Sequence, residues 1–284
     1  MNLKRLKERL YFQAFRAATG GVILFLFYMI WTFVSNGVGA ISWTFLTDVP
    51  RRGLTAGGIF PAIVGTIYLT AGAIAFALPI GVASAIYLVE YAREGRFVSM
   101  INSAIINLAG VPSIVYGLFG YGLFVNLLKF GTSILSGSLT LFLMILPIVI
   151  SASREALLSV PRSFREGSLA LGATKWETIW RNVLPYALPG ILTGTILALA
   201  RAAGETAPII LTATFFYSPT LPSSILDGTM ALATYIYYVA TQAPNPVLVR
   251  PLVNGAILVL LSIVLSLNAV AITIRTRERR RRKW

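Results

Sequence analysis

Residues 154–185 read REALLSVPRSFREGSLALGATKWETIWRNVLP, a charged and patterned stretch set between two long apolar runs. Ser163 stands three residues before Glu166, and Thr174 three before Glu177. Each pair has the form of a capping box, in which the hydroxyl and the carboxylate each accept from the other residue's amide. Gly172 falls where a helix ends on a left-handed residue. The next helix carries Trp176, Ile179, Trp180 and Val183 on one face, and Pro185 is expected to close the unit. The prediction is helix, glycine turn, helix. Two readings of it stay open here: an amphipathic hairpin anchored in the membrane interface by its tryptophans, and a docking element for a cytoplasmic partner.

Working outward, the flanking runs are long enough to cross a bilayer, which takes about 20 apolar residues. Six such runs are expected, at 17–36, 59–89, 101–128, 134–153, 186–215 and 252–274. They make one transmembrane domain over 17–274, with basic tails at 1–16 and 275–284, and an outer loop at 216–250. Of the 284 residues, 56% are hydrophobic and 12% charged, half the charged share of about 25% usual in soluble domains. The predicted fold class is therefore an all-α integral membrane protein. With His and Cys both absent, imidazole and thiolate chemistry and their metal sites are excluded.

The net charge of +14 is distributed by side. Nineteen Lys and Arg fall on the side shared by both tails, Arg93, Arg96 and the 154–185 segment, against four (Arg51, Arg52, Lys129 and Arg250) on the other. Basic residues concentrate on the cytoplasmic side, so both ends and the 154–185 segment are placed inside. The charge reads as topology, with the Arg-rich C-terminal end on anionic lipid and no nucleic acid involved. The first run is read as an uncleaved helix rather than a signal peptide, because it is long and follows an extended basic tail.

The fifth run holds Ala198–Leu199–Ala200–Arg201–Ala202–Ala203–Gly204–Glu205–Thr206–Ala207–Pro208. Arg201 and Glu205, four apart, are expected on one helical face. A charge at the bilayer centre costs roughly 2.5–3.5 kcal/mol, so both must face a bundle interior or a water-filled path. An internal ion pair that holds helices together is the alternative. Arginine suits a tetrahedral oxyanion, since its fork holds two oxygens at once. Thr206 joins Arg201 and Glu205 as a path residue, and Ser113 and Tyr116, beside Pro112, are singled out for substrate contact. Pro79, Pro112, Pro147 and Pro189 are expected to kink the second to fifth spans. A surface or re-entrant helix is expected at about 228–240, with Tyr235, Tyr237 and Tyr238 as interface anchors or as contacts for an external protein.

Glu166, Gly172 and Leu184–Pro185 resemble, in residue and spacing, the cytoplasmic loop of ABC importer permeases, whose pattern is Glu-Ala-Ala, three residues, Gly, nine residues, Ile, any residue, Leu-Pro. Gly167 and Ser168 replace the two alanines, and Asn182 the isoleucine. The fifth-span sequence, Leu108–Gly117, Tyr87–Tyr91 and Ser168–Thr174 are similar to phosphate ABC transporter permeases, and the Ile59–Thr66 stretch to their A-type. The resemblance implies a type I importer permease in the prokaryotic inner membrane, transporting rather than catalysing. It implies that Ser163, Glu166, Gly172, Thr174 and Glu177 belong to the loop that couples to an ATPase. Its partners would be a second homologous permease in a heterodimer, two ATPase subunits and an external phosphate-binding protein. ATP and Mg would sit on the ATPase, and none on this chain, which has no G-x-x-x-x-G-K-[ST] loop. Sulfate or molybdate as the cargo, and a stand-alone channel or secondary transporter gated by Arg201 and Glu205, remain as alternatives.

Overall fold

Prolines and glycines decide where the apolar runs stay straight and where they break. The computed structural model describes residues 3–51, 54–93, 95–218, 220–243 and 245–281. Arg52, Arg282 and Lys283, counted above for orientation, lie outside the described residues.

Helix α1 (Leu3–Gly37) continues the first span back through the basic tail without a break. A short helix α2 (Trp43–Thr47) follows, capped by the Ser42 hydroxyl, which accepts from the Phe45 amide. Strands β1 (Pro50–Arg51) and β2 (Ala56–Gly57) pair antiparallel outside the membrane. Helix α3 (Phe60–Ile86) keeps Pro79 inside it and runs on through a π turn at Tyr87–Tyr91.

The third expected span is not one straight helix. It divides into α4 (Arg96–Ala109) and α5 (Ser113–Gly120), the latter extended by π turns to Leu127, and the two are bent by 99°. Pro112 has no amide to donate and disfavours helical backbone in the residue before it, so the chain stops at Gly110 and restarts at Ser113. The Tyr116 hydroxyl donates to the Leu108 carbonyl at 2.8 Å and ties the bend shut.

Helix α6 (Ile134–Leu158) contains Pro147 and is the most enclosed span. Helices α7 (Arg162–Ala170) and α8 (Lys175–Thr178) form the cytoplasmic hairpin. Pro185 does not close that unit. Lys175–Ala203 is continuous, with a π turn at Ile179–Val183 leading into α9 (Leu184–Ala203). In that turn the Leu184 amide donates to Ile179, so the register has already shifted where Pro185 would break an ordinary α-helix. The fifth span then stops, and α10 (Ala207–Thr212) restarts after Gly204–Thr206. Pro208 sits in the first turn of α10, where its missing amide costs nothing, so it removes no helical bond there.

In the outer loop, α11 (Leu232–Gln242) starts four residues later than expected, and Tyr235 is buried in it rather than anchoring at an interface. Helix α12 (Pro246–Arg281) absorbs both the sixth span and the described part of the basic tail.

Two sets of bonds fix the topology. The cytoplasmic end of α3 is held to α7 by Glu90 and Arg165. The start of α6 is held to the outer segment, where the Ser133 amide donates to Thr212 at 3.0 Å and the Ile134 amide to Asp227 at 2.9 Å. The bent α4–α5 pair joins these two ends and so makes a crossing. Counted as one span beside the five helices long and apolar enough to cross a membrane, it makes six candidate crossings among the described residues, an even number that leaves both ends on one side.

Packing in the centre depends on small residues. A side chain at Gly81 would meet Val149, and one at Gly194 would meet Ala152, so α3 and α9 lie close against α6. Leu69, Leu141, Met144, Ile145, Val149 and Ile209 fill the space between α3, α6 and α10. Helix α1 is exposed along its apolar length and packs near its end, where Gly37 abuts Asn254 of α12.

Candidate functional site

The candidate residues fall into a group at the hairpin and a group farther out along α9. In the first, Gly172 has φ +87, a left-handed conformation that an L side chain adopts only at a cost. The Thr174–Glu177 capping box is complete: the Glu177 amide donates to the Thr174 hydroxyl, and the Thr174 amide donates to the Glu177 carboxylate at 2.9 Å. The Ser163–Glu166 box does not form. Helix α7 begins at Arg162 behind Pro161, with no side-chain cap. Ser163 is thus already inside the first turn, because Pro161 supplies the extended backbone from which the helix departs. Ser163 and Glu166 are both exposed.

The expected apolar face of α8 divides. Ile179 and Val183 are buried, whereas Trp176 and Trp180 stack on each other at 5.7 Å and stay more than half exposed.

Two departures from the permease pattern meet each other. The Asn182 amide donates to the Ser168 hydroxyl at 2.8 Å, and the Thr178 hydroxyl bonds the same oxygen at 2.9 Å. Ser168 therefore staples α7 to the π turn before α9.

A further pair escaped sequence reading. Arg165 donates through Nε and Nη2 to one oxygen of Glu90 at 3.0 and 2.8 Å, and to the carbonyls of Val160 and Leu157 at 2.7 and 2.9 Å. The Glu90 and Arg165 side chains are only 8% and 19% exposed. This closed clamp joins α3, the end of α6 and the hairpin. No spacing rule connects residues 75 apart. The available signals were an acid at the end of an apolar run and a basic residue already assigned to topology.

In the second group, Arg201 lies roughly 25 Å along α9 from Leu184, at about 1.5 Å per residue. It does not share an unbroken helix with Glu205. Helix α9 ends at Ala203, and Gly204 and Glu205 turn back to donate to Arg201 and Ala202 carbonyls. The low helix propensity of glycine favours the stop at Gly204. Arg201 Nε and Glu205 Oε1 remain 3.7 Å apart, with the Arg201 side chain 48% and the Glu205 side chain 16% exposed. The last turn of a helix favours a cation there. Thr206, half-buried, precedes α10 without capping it.

Helix α5 lies against this break, since a side chain at Gly117 would meet the Pro208 backbone. Tyr116 is within electrostatic reach of Arg201, but its hydroxyl is committed to Leu108 and it is buried, which favours a supporting role over direct substrate contact. Ser113, half-buried, begins α5 one turn away. The fold thus gathers Arg201, Glu205, Thr206 and Tyr116 around one interrupted helix, the kind of backbone tolerated within a membrane only where protein or a cavity covers it. No group of three or more acids able to hold a metal is present among the described residues.

Comparison with known proteins agrees with this architecture. Residues 77–283 match the family described as binding-protein-dependent transport system inner membrane component. The phosphate transport system permease protein PstA 1 of Mycobacterium tuberculosis is 37% identical over 263 residues, covering 91% of this chain and 84% of that protein. The probable ABC transporter permease protein YqgI of Bacillus subtilis is 33% identical, covering 84% of each. Among solved structures, a chain of the MetNI methionine ABC transporter in an inward-facing conformation superposes with a TM-score of 0.61 at 17% identity, over 76% of this chain and 94% of that one; this likeness concerns the fold. On the extent of the family match and the identity with full-length relatives, the chain belongs to the binding-protein-dependent transport system inner membrane components.

Proposed function

We propose that this chain is the membrane-spanning permease subunit of an ATP-driven importer of inorganic phosphate. It forms the translocation path with a second homologous permease. Two ATPase subunits carry the ATP and Mg, and an external binding protein delivers the phosphate. The observation that supports the reading is Arg201, half exposed and, among the described residues, engaged by a loose 3.7 Å contact to Glu205. Its other two nitrogens have no partner among the described residues, and a guanidinium fork can take two oxygens of an oxyanion at once. Glu205 competes for the same guanidinium, which keeps the anion from being held too tightly to leave. The name of the Mycobacterium tuberculosis relative supports phosphate as that anion.

The hairpin supplies the ATPase contact. Leu171 at its tip is 91% exposed, and Leu169 is exposed beside it, offering an apolar surface to a cytoplasmic partner. Motion of the hairpin on ATP binding passes through the Glu90–Arg165 clamp to α3 and through the continuous α8–α9 helix to Arg201.

Proteoliposomes holding the complete transporter provide the test. ATP-dependent uptake of labelled phosphate is expected, exceeding that of sulfate and molybdate, and Arg201→Gln should lower it at least tenfold. Preferential uptake of another oxyanion overturns the substrate, and flux by this chain without an ATPase overturns the mechanism.

A further inference from the structure

A groove of about 650 Å³ runs between α3 and the α8–α9 helix and borders the hairpin group at Trp176 and Trp180. Its floor is apolar, made by Leu78, Val82 and Ile86 on one side and Leu184, Leu188 and Leu192 on the other. Tyr87, Tyr91, Trp176 and Trp180 line its cytoplasmic end. From Leu78 to Tyr91, α3 rises about 20 Å at ~1.5 Å per residue. That is close to the depth of one leaflet, half of a hydrocarbon core about 30 Å thick with its polar border added. The four aromatic rings fall at headgroup level, where such side chains settle.

The cation that faces this end is Lys175, which holds its ammonium 4.9 Å from the centre of the Tyr91 ring. Among the described residues, Glu90 is ion-paired with Arg165, and the Glu177 carboxylate is turned to the Thr174 amide and hydroxyl. A ligand with an apolar chain and an anionic head meets both halves of the groove.

We propose that this groove binds an anionic phospholipid of the cytoplasmic leaflet, with an acyl chain along the α3–α9 floor and the headgroup phosphate at Lys175. The lipid touches α3 next to the clamp and α8 within the hairpin, so the charge of the inner leaflet reaches the coupling element.

The test uses the complete transporter in phosphatidylcholine vesicles doped with photoactivatable phosphatidylglycerol or, separately, photoactivatable phosphatidylcholine. Adducts are mapped by mass spectrometry after illumination. Phosphatidylglycerol should label residues 78–91 and 176–192 several-fold more than phosphatidylcholine, while exposed α1 takes both equally. Lys175→Gln should bring phosphatidylglycerol labelling of the groove down to the phosphatidylcholine level. Equal labelling of the groove by both lipids in the unaltered protein overturns the proposal. So does a persistent preference in Lys175→Gln. Labelling of α1 with none in the groove also overturns it, because a protein partner then covers the site.

Discussion

Two arginine–glutamate pairs divide the labour of this molecule. Glu90 and Arg165 meet at 2.8 Å, mostly buried, with two carbonyls also accepting from the guanidinium. Arg201 and Glu205 stand 3.7 Å apart with the arginine half exposed. The first pair joins elements distant in sequence; the second straddles a break in one span. A buried charge with most of its bonds made rigidifies its surroundings, whereas a charge left largely open can take a ligand. The difference lies in the completeness of the bonding, since the residue types are the same.

The sharpest way to break this contrast is to unpair the clamp. Glu90→Gln or Arg165→Gln should each cost about 3–5 kcal/mol, because each leaves a buried charge without its partner. Thermal unfolding in detergent measures this, and the double replacement should recover part of the loss. Destabilisation no larger than a surface change would show that the clamp is not closed.

Arg201→Gln tests the other side. Phosphate uptake should fall at least tenfold, equivalent to about 1.4 kcal/mol, while stability moves by no more than about 0.5 kcal/mol. A large stability loss instead would make Arg201 a structural ion like Arg165.

The hairpin sharpens the argument with neutral groups. Ser168→Ala should cost about 1 kcal/mol, chiefly by leaving the buried Thr178 hydroxyl without its partner, while Ser168→Ala with Thr178→Val, which removes both hydroxyls, should come closer to neutral. Hydrogen exchange of the α7–α8 amides reads both.

The smallest effect is expected at Asp227, an acid satisfied without arginine. The Ser223 hydroxyl and the Ser223 and Ser224 amides donate to its carboxylate and hold it below the usual range. A carboxyl with a lowered folded value contributes stability fully above its unfolded value of about 3.9, and loses it as pH falls through the lowered one. Proteolysis of the outer loop should therefore be unchanged from neutral pH down to about 4 and increase only below that. An increase beginning higher would place Asp227 outside this bonding.

Local chemistry was legible wherever partners lie within a turn of each other. The Thr174–Glu177 box and the left-handed Gly172 could be read from spacing alone. Ser163–Glu166 has the same spacing and fails, because Pro161 two residues earlier starts the helix first. The third run was long and apolar enough to look straight, and Pro112 was visible in it. A kink was foreseeable; a turn of 99° depends on the Tyr116–Leu108 bond and on α10 packing at Gly117. Ser168 and Asn182 looked like two separate weaknesses in the family resemblance, yet they compensate each other in space.

Taken by itself, the sequence determined the membrane class, the sidedness and the family, because hydropathy, basic-residue bias and motif spacing are properties of the chain as written. It also identified Arg201 and Glu205, since charges within an apolar run are conspicuous in one dimension. Only the tertiary structure decided which arginine is closely bonded and which is open. That depends on how many acceptors converge on each guanidinium, and those of Arg165 come from Glu90, Val160 and Leu157, groups that only packing brings together.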